Sequence, residues 1–171
     1  MEQAVLQRAE DEALMRVALE EAHLALESED VPVGALVVKD GRVIARGHNR
    51  READHMASAH AELLAIENAC RALSRWRLSD CTLYVTLEPC PMCAGAIINA
   101  RISRVVFGAR DAKAGVFGSV LQINDLPFNH HPELTGDVLA DECGAIISEF
   151  FARKRAQQKA EKKREQQEEQ Q

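Results

Sequence analysis

The sequence lacks three features that would each point to a class of protein. It has no excess of positive charge, because 21 Lys and Arg stand against 27 Asp and Glu, for a formal net charge of −6. It has no apolar run long enough to cross a membrane. Its first residues do not form the basic start and apolar core of a secretory signal. We therefore expect a cytoplasmic protein with no membrane partner, on which only local basic patches would meet a polyanion.

A disulfide framework, internal repeats and a domain linker are also absent from the sequence. Five cysteines are an odd number, and without a secretory signal they argue against structural disulfides. A chain of 171 residues is long enough for one well-cored domain. We predict a domain over residues 1–155 and a low-complexity, charged and Gln-rich tail over 156–171. The tail is either a solvated helical extension or disordered.

Charge is distributed unevenly between the body and the end of the chain. Residues 1–150 hold fourteen Lys and Arg against twenty-three Asp and Glu, a balance of −9. Residues 151–171 hold seven Lys and Arg against four Asp and Glu, a balance of +3. An anionic partner is therefore expected to meet the basic end of the chain or small patches on the body.

Hydrophobic periodicity predicts helices and strands in alternation. The pattern favours helices over 5–27, 59–73, 91–99 and 139–155, and strands over 33–38, 42–47, 82–87 and 104–109. Between 119 and 138 the sequence indicates only a weak helical turn and an ill-defined fifth strand. This order of elements predicts an α/β fold, with a mixed sheet and helices on both of its faces.

Two cysteines three residues apart lie where a strand is predicted to end and a helix to begin. Cys90 and Cys93 flank Pro91, and proline suits the first helical position. Residues i and i+3 share a helix face, so both sulfurs can converge on one point. The helix-start dipole also favours a thiolate over a thiol. The pair alone fits three interpretations: a metal site, a thioredoxin-like redox pair, or two buried structural cysteines.

A histidine and a glutamate open the other strongly helical stretch of the middle region. If both helices begin at one edge of the sheet, His60 can join Cys90 and Cys93. One imidazole and two thiolates suit tetrahedral zinc, and three protein ligands leave a fourth position for water, as in catalytic sites. Residues two apart point to different sides of a helix, so we predict Glu62 to be a proton carrier and not a ligand. Without the candidate ligands nearby, the ordinary interpretation of Glu62 would be a surface acid in the first turn of a helix, where its charge stabilises the helix dipole.

These motifs resemble those of the zinc-dependent nucleobase deaminases, whose His-x-Glu and Pro-Cys-x-x-Cys signatures match residues 60–62 and 89–93. A closer resemblance, to the bacterial tRNA-specific adenosine deaminases, extends over roughly residues 14–155. It includes the segments 31–35, 82–90, 105–113 and 139–143. The Ala-Arg-Asp-Ala-Lys loop at 109–113 and the basic helix near the end favour the tRNA branch.

The resemblance implies a cytidine-deaminase-like fold, which is a three-layer α/β/α sandwich around a five-stranded mixed sheet. It implies a homodimer with one Zn2+ per chain. The reaction would be hydrolytic deamination of adenosine to inosine at the wobble position of a tRNA anticodon, mainly of an arginine tRNA. Glu62 would shuttle protons, Asn49 would contact the flipped base, and Asp111 would lie in a loop that positions the anticodon nucleotides. Arg153 and Arg155 would contact the phosphates of the stem-loop.

Two alternatives remain open. A deaminase of the same fold could act on free guanine, free cytosine or deoxycytidylate, although a free base needs no phosphate clamp at 153–155. A non-catalytic zinc module would need a fourth protein ligand, and the remaining cysteines fit core positions better. Two features depart from the shared pattern: His48, which replaces the usual bulky residue before Asn49, and the Gln-rich end of the chain.

Overall fold

The structure, a computed structural model of the chain, describes residues 1–168 and places a five-stranded sheet at the centre. The strands follow the spatial order β2-β1-β3-β4-β5. β1 pairs antiparallel with both β2 and β3, whereas β4 runs parallel to β3 and β5 runs parallel to β4. The sheet is therefore mixed, and the strands are β1 (Gly34–Lys39), β2 (Arg42–His48), β3 (Thr82–Leu87), β4 (Arg104–Ala109) and β5 (Glu133–Thr135).

Helices cover both faces of the sheet. One hydrophobic cluster joins the sheet to α3 and α4, and a second joins its other face to α1 and the start of α5. This confirms the predicted three-layer sandwich. The helices are α1 (Glu2–Leu24), α2 (Arg51–Asp54), α3 (Ala61–Leu73), α4 (Pro91–Ala100) and α5 (Ala140–Glu168), with short 3-10 turns at Ala25–Ser28 and Ile123–Asp125.

Strand β1 shows why the central strands have an unbroken apolar sequence. Ala35 and Val37 belong to the cluster beneath α3 and α4, whereas Leu36 and Val38 belong to the cluster beneath α1. Alternate residues are therefore buried on opposite faces, as expected when both faces of a sheet are covered. Helix α1 lies directly on the start of this strand, because a Cβ added at Gly34 would fall 2.1 Å from the carbonyl oxygen of Ala18.

A buried ion pair fastens α1 to the sheet. The Asp11 carboxylate accepts hydrogen bonds from Arg104 Nη1 at 2.9 Å, from Arg104 Nη2 at 2.7 Å and from the Tyr84 hydroxyl at 2.8 Å. The Asp11 side chain is only 3% exposed. Burial raises the pKa of Asp11, but the hydrogen bonds from Arg104 and Tyr84 outweigh it, and the pKa lies below its usual value.

Three elements differ from the expectations drawn from the sequence. The four-residue helix α2 was not predicted, because its single turn has no hydrophobic period to detect. Helix α1 begins three residues earlier than predicted and ends in a 3-10 turn. Helix α5 crosses the predicted domain boundary after residue 155 without a break and continues to Glu168. Residues 156–168 are therefore helical, and residues 169–171 lie outside the part that the structure describes. No helix within residues 1–168 has the length and apolar character needed to cross a membrane.

Candidate active site

The starts of two helices bring the three predicted metal ligands together. His60 is the N-cap of α3 and Cys90 is the N-cap of α4, and both have extended backbone conformations. Pro91 occupies the first turn of α4, where its missing N–H has no intrahelical partner to lose. Cys93 follows one turn later and is fully buried. Because α3 and α4 lie on the same face of the sheet, their N-terminal ends converge.

The distances within this group fit a tetrahedral metal. His60 Nδ1 lies 3.7 Å from Cys90 Sγ and 3.5 Å from Cys93 Sγ. All three candidate ligand atoms lie within 4.8 Å of one another. Zinc–nitrogen and zinc–sulfur bonds of ordinary length, set at a tetrahedral angle, give a nitrogen–sulfur separation of about 3.5 Å. One imidazole and two thiolates therefore form a donor set of suitable chemistry and spacing for zinc.

The acid–base state of the two thiols also suits a metal centre. A hydrogen bond from Cys93 lowers the pKa of Cys90 to about 4, with a further contribution from His60. The same hydrogen bond and burial raise the pKa of Cys93. The thiolate form is therefore favoured at Cys90 and disfavoured at Cys93, and the pKa of His60 is raised by its hydrogen bond to Cys90. A divalent cation would take the place of these protons.

Glu62 lies beside the three ligands as a buried acid with an unpaired oxygen. It is the second residue of α3, it is only 4% exposed, and its Oε2 has no hydrogen-bond partner. Burial raises the pKa of Glu62 to about 7, although its own backbone amide and His60 act in the opposite direction. An unpaired buried carboxyl oxygen is costly unless it serves a ligand, so this atom points to a binding or proton-transfer role.

A cavity of about 640 Å³ opens directly above His60, Glu62 and Cys90. Asn49 lines the cavity from the loop after β2 and is only 7% exposed. Its Oδ1 accepts a hydrogen bond at 2.9 Å from the backbone N–H of Ala61, the first residue of α3. This contact fixes the amide plane of Asn49, so its amide nitrogen remains available to a ligand.

Asp111 lies in the loop that forms the opposite wall of the cavity. Its Oδ1 accepts hydrogen bonds from the backbone N–H groups of Lys113 and Ala114, at 3.0 and 3.1 Å. The side chain therefore shapes its own loop, which lines the cavity from Arg110 to Ala114. The loop brings Asp111 and Asn49 to the same cavity.

Glu88 connects this loop to the segment that holds the candidate ligands Cys90 and Cys93, and the sequence reasoning did not single it out. Its carboxylate is fully buried two residues before Cys90, and it accepts a hydrogen bond at 3.0 Å from the Ser119 hydroxyl. Arg110 Nη1 lies 3.6 Å away. Gly115 passes so close that an added Cβ would lie 1.4 Å from Glu88 Oε2. An acid directly after a buried strand was the one available signal in the sequence.

Helix α5 forms a third wall of the main cavity. Phe151 lines the main cavity, and Arg155 lines an adjoining cavity of about 270 Å³ that also contains Asn49. Arg153 takes a different direction: its guanidinium carbon lies 5.9 Å from the centroid of the Phe150 ring, and the side chain lines neither cavity. His48 also points away from the cavity and contacts Glu21 Oε1 through its Nδ1 at 2.9 Å.

Comparison with known proteins matches most of the chain to deaminases. Residues 9–165 match the MafB19-like deaminase family. The tRNA-specific adenosine deaminase of Bacillus subtilis is 48% identical over 150 residues, which span 87% of this chain and 93% of that protein.

Solved structures agree with the sequence matches. A structure from a study of A-to-I editing by deaminases of the tRNA wobble position superposes with a TM-score of 0.75 at 45% identity, covering 77% of this chain and 96% of the other. A guanine deaminase from Nitrosomonas europaea superposes with a TM-score of 0.73 at 27% identity, covering 82% of this chain and 84% of the other. The fold is therefore shared by enzymes named for different substrates.

Proposed function

Because this chain belongs to the family of the tRNA-specific adenosine deaminases, we propose that it deaminates adenosine to inosine at the wobble position of a tRNA anticodon, mainly of an arginine tRNA. The observation that carries the proposal is the convergence of His60, Cys90 and Cys93 beside the buried, unpaired carboxyl of Glu62. This group lies at the floor of a cavity with a basic rim, open enough to admit a base.

His60, Cys90 and Cys93 would hold one zinc ion per chain, since their chemistry and mutual distances suit it. Zinc with three protein ligands lowers the pKa of a water molecule at its remaining position. Glu62 then acts as the proton carrier of the site. Its carboxylate would take a proton from the water and give it to the adenine ring nitrogen while the water oxygen bonds to the adjacent ring carbon. It would then take the remaining proton from that oxygen and give it to the amino group, whose bond to the ring carbon breaks as ammonia leaves. The raised pKa of Glu62 suits a group that both accepts and donates protons near neutral pH.

The walls of the cavity position the base. The amide nitrogen of Asn49 can donate to an acceptor on the flipped base, because Asn49 Oδ1 is already held by α3. The loop around Asp111 faces it across the cavity and would order the flanking nucleotides. Arg155, at the edge of the adjoining cavity, and Arg153, on the exposed side of α5, would meet phosphates. A single-stranded loop can offer a splayed base at low cost.

A guanine deaminase is the second candidate function, and the likeness to the Nitrosomonas europaea enzyme is the observation in its favour. The same metal chemistry serves a free base as well as a base in RNA, so the fold alone does not decide between them. Higher identity to the tRNA-specific relatives favours the RNA substrate.

A homodimer accords with the exposed side of α4. Met92 is 39% exposed, and a Cβ added at Gly95 would meet no atom within 4 Å. Val120 and Leu121 are also exposed apolar side chains of this chain. We propose that a second copy of the chain covers the exposed side of α4. With tRNA as the substrate, the enzyme would act in the cytoplasm.

The decisive experiment compares substrates with one purified protein. An anticodon stem-loop of the arginine tRNA, free adenosine, free cytidine and free guanine are each incubated with the enzyme, and inosine or the corresponding deaminated product is quantified. We expect inosine in the stem-loop at a rate far above that of any free base or nucleoside. Faster turnover of guanine than of the stem-loop would establish the second candidate in its place.

The Glu62→Gln variant tests the proton carrier in the same assay. We expect it to retain zinc and to lose activity by about 10²-fold or more, as expected on removal of an essential acid–base group. Glu67→Gln on the same helix is the matched control, because Glu67 is exposed and pairs only with Arg71 at the surface. Near-normal activity in Glu62→Gln would refute the role given to this residue.

A further inference from the structure

The end of helix α5 projects from the body and carries its charges in an ordered pattern. Phe150 is the last buried residue of the helix, and the 18 residues from 151 to 168 would extend about 27 Å at the usual rise per residue. Side chains along this extension are exposed, apart from the half-buried Lys154. The sequence left two alternatives for this low-complexity segment, a solvated helical extension or disorder, and up to Glu168 the structure has the helix, which gives each charge a direction.

Four basic residues of the extension share one face. On an ideal helix, Arg155, Lys159, Lys162 and Lys163 lie within about 55° of a common direction. We call these four residues the basic stripe. They form a shallow concave surface together with Gln158 and Gln166. The acids of the described extension, which are Glu161, Glu165 and Glu168, lie about 100° or more from the centre of the stripe.

The basic stripe is continuous with the candidate active site. Arg155 belongs to the stripe and also lines the cavity that contains Asn49 and Phe151. From Arg155 the stripe runs about 12 Å along the helix to Lys163, away from the body. A ligand that inserts one nucleotide into the cavity could therefore continue along the stripe.

The composition of the extension favours a nucleic-acid backbone over other partners. Its only apolar side chains between Arg153 and Glu168 are alanines, at positions 156 and 160. A helix that lies on a membrane surface needs a large apolar face, and a coiled-coil partner needs a repeated apolar seam. The extension has neither. Regularly spaced cations on a polar helix match the requirements of a phosphate backbone.

We propose that the basic stripe binds the phosphate backbone of the duplex stem next to the loop that enters the active site. This inference rests on the proposed RNA substrate. It gives the protein a second region of contact with that RNA, in addition to the cavity. The site at the cavity would select the base, while the stripe would contribute sequence-independent affinity and orient the stem. The acidic body of the protein makes such a localised contact more important for binding a polyanion.

The test removes the charges of the stripe that are far from the cavity. The variant Lys159→Gln/Lys162→Gln/Lys163→Gln keeps the helix propensity of the segment nearly unchanged. Binding is measured by fluorescence anisotropy with the full-length, zinc-loaded protein, using an anticodon stem-loop and, separately, the seven-nucleotide loop without its stem. Each measurement is repeated between 50 and 200 mM salt.

We expect the triple variant to bind the stem-loop more weakly and with a salt slope that is flatter by about 2 to 3. Between 50 and 200 mM salt, the affinity of the wild type should therefore fall about 20- to 40-fold further than that of the triple variant, because the variant lacks three phosphate contacts. Binding of the loop without its stem should be unchanged. Equal losses with both RNAs, or an unchanged salt slope with the stem-loop, would overturn the proposal.

A relocated variant separates the position of the charges from their number. It adds Gln157→Lys and Glu161→Lys to the triple variant, which restores the net charge at positions about 150° or more from the centre of the stripe. We expect affinity for the stem-loop to stay low. Full recovery would show that only net charge matters and would overturn the proposal. Tight, salt-sensitive binding of the wild type to anionic lipid vesicles, with none to the stem-loop, would overturn it in favour of a membrane surface.

The deamination assay keeps the two proposals separate. If the wild-type protein does not form inosine in the stem-loop, the proposed function fails, whereas the anisotropy measurements still report on the stripe. If it forms inosine and the triple variant binds and reacts like the wild type at every salt concentration, only the stripe proposal fails.

Discussion

Removing the Asp11 carboxylate should destabilise the protein more than any nearby surface substitution. In Asp11→Ala, the guanidinium of Arg104 loses both of its short hydrogen bonds and the Tyr84 hydroxyl loses its acceptor. The Arg104 side chain is only 16% exposed, so water replaces the carboxylate poorly. Deleting one partner of a buried pair leaves the other charge poorly compensated, which is costly. The remaining carboxylate, that of Glu133, lies 3.8 Å from Arg104 Nε and is 75% exposed, so it compensates the charge only in part.

We expect a loss of about 3 kcal/mol in the free energy of unfolding, at the lower end of the range for buried pairs because Arg104 keeps some access to water. For a chain of this length, the loss corresponds to a fall of roughly 6–12 °C in Tm. The measurement is thermal unfolding followed by circular dichroism, with zinc present throughout so that metal loss does not contribute.

Glu12→Ala is the matched control, since Glu12 is the next residue of α1 and pairs with Arg8 at the surface at 3.2 Å. The Arg8 side chain is 64% exposed, so the control should lose only about 0.3–0.5 kcal/mol. If Asp11→Ala costs less than about 1 kcal/mol, the ion pair contributes no more than a surface pair and our reasoning from burial is wrong.

The pH dependence offers a second readout of the same contact. Because the pKa of Asp11 is lowered in the folded state, its stabilisation is fully present above the unfolded pKa and is lost as pH falls through the folded one. The difference in stability between wild type and Asp11→Ala should therefore be constant near neutral pH and should shrink below about pH 4. A difference that grows on acidification would contradict this assignment.

Three further predictions concern the site and its surroundings. Cys90→Ala/Cys93→Ala should contain no stoichiometric zinc by elemental analysis, whereas a full complement of zinc would refute the proposed ligand set. Gly115→Ala should lower stability by about 1–3 kcal/mol and reduce stem-loop deamination, because the added Cβ collides with the Glu88 carboxylate; unchanged activity would show that the loop tolerates displacement. Met92→Lys should shift the protein from dimer to monomer in analytical ultracentrifugation at micromolar concentration, while a monomeric wild type would remove the basis of the dimer proposal.

The parts of the fold that were predicted correctly are those with a strong local signal. The continuous apolar runs of β1, β3 and β4, bounded by turns, identified the buried strands of a covered sheet. The order of the elements then led to the three-layer arrangement. For the candidate site, the spacing of Cys90 and Cys93 identified one half, and the expectation that two helices begin at the same edge brought in His60.

The parts that were not predicted depend on contacts between distant residues. A fifth strand was expected between residues 119 and 138, but its bounds and its pairing with β4 were not predicted, because three residues carry no clear local pattern. Ser74 and Arg101 have left-handed conformations at the ends of α3 and α4, so the usual glycine signal of a helix end is missing, although the end of α3 at residue 73 was predicted correctly. The role of Glu88 requires knowledge that the loop from Arg110 to Ser119 folds back over it.

The order of strands in the sheet has a consequence for how the chain assembles. After the β1–β2 hairpin forms at one end of the sheet, β3, β4 and β5 are added at the other edge in the order in which they occur in the sequence. β4 and β5 therefore each pair with the strand that precedes them in the sequence, whereas β3 passes over β2 and pairs with β1, which still keeps the loops to be closed short. All three candidate ligands lie within the first 93 residues. The candidate metal ligands are thus synthesised before β4, β5 and α5 with its basic stripe.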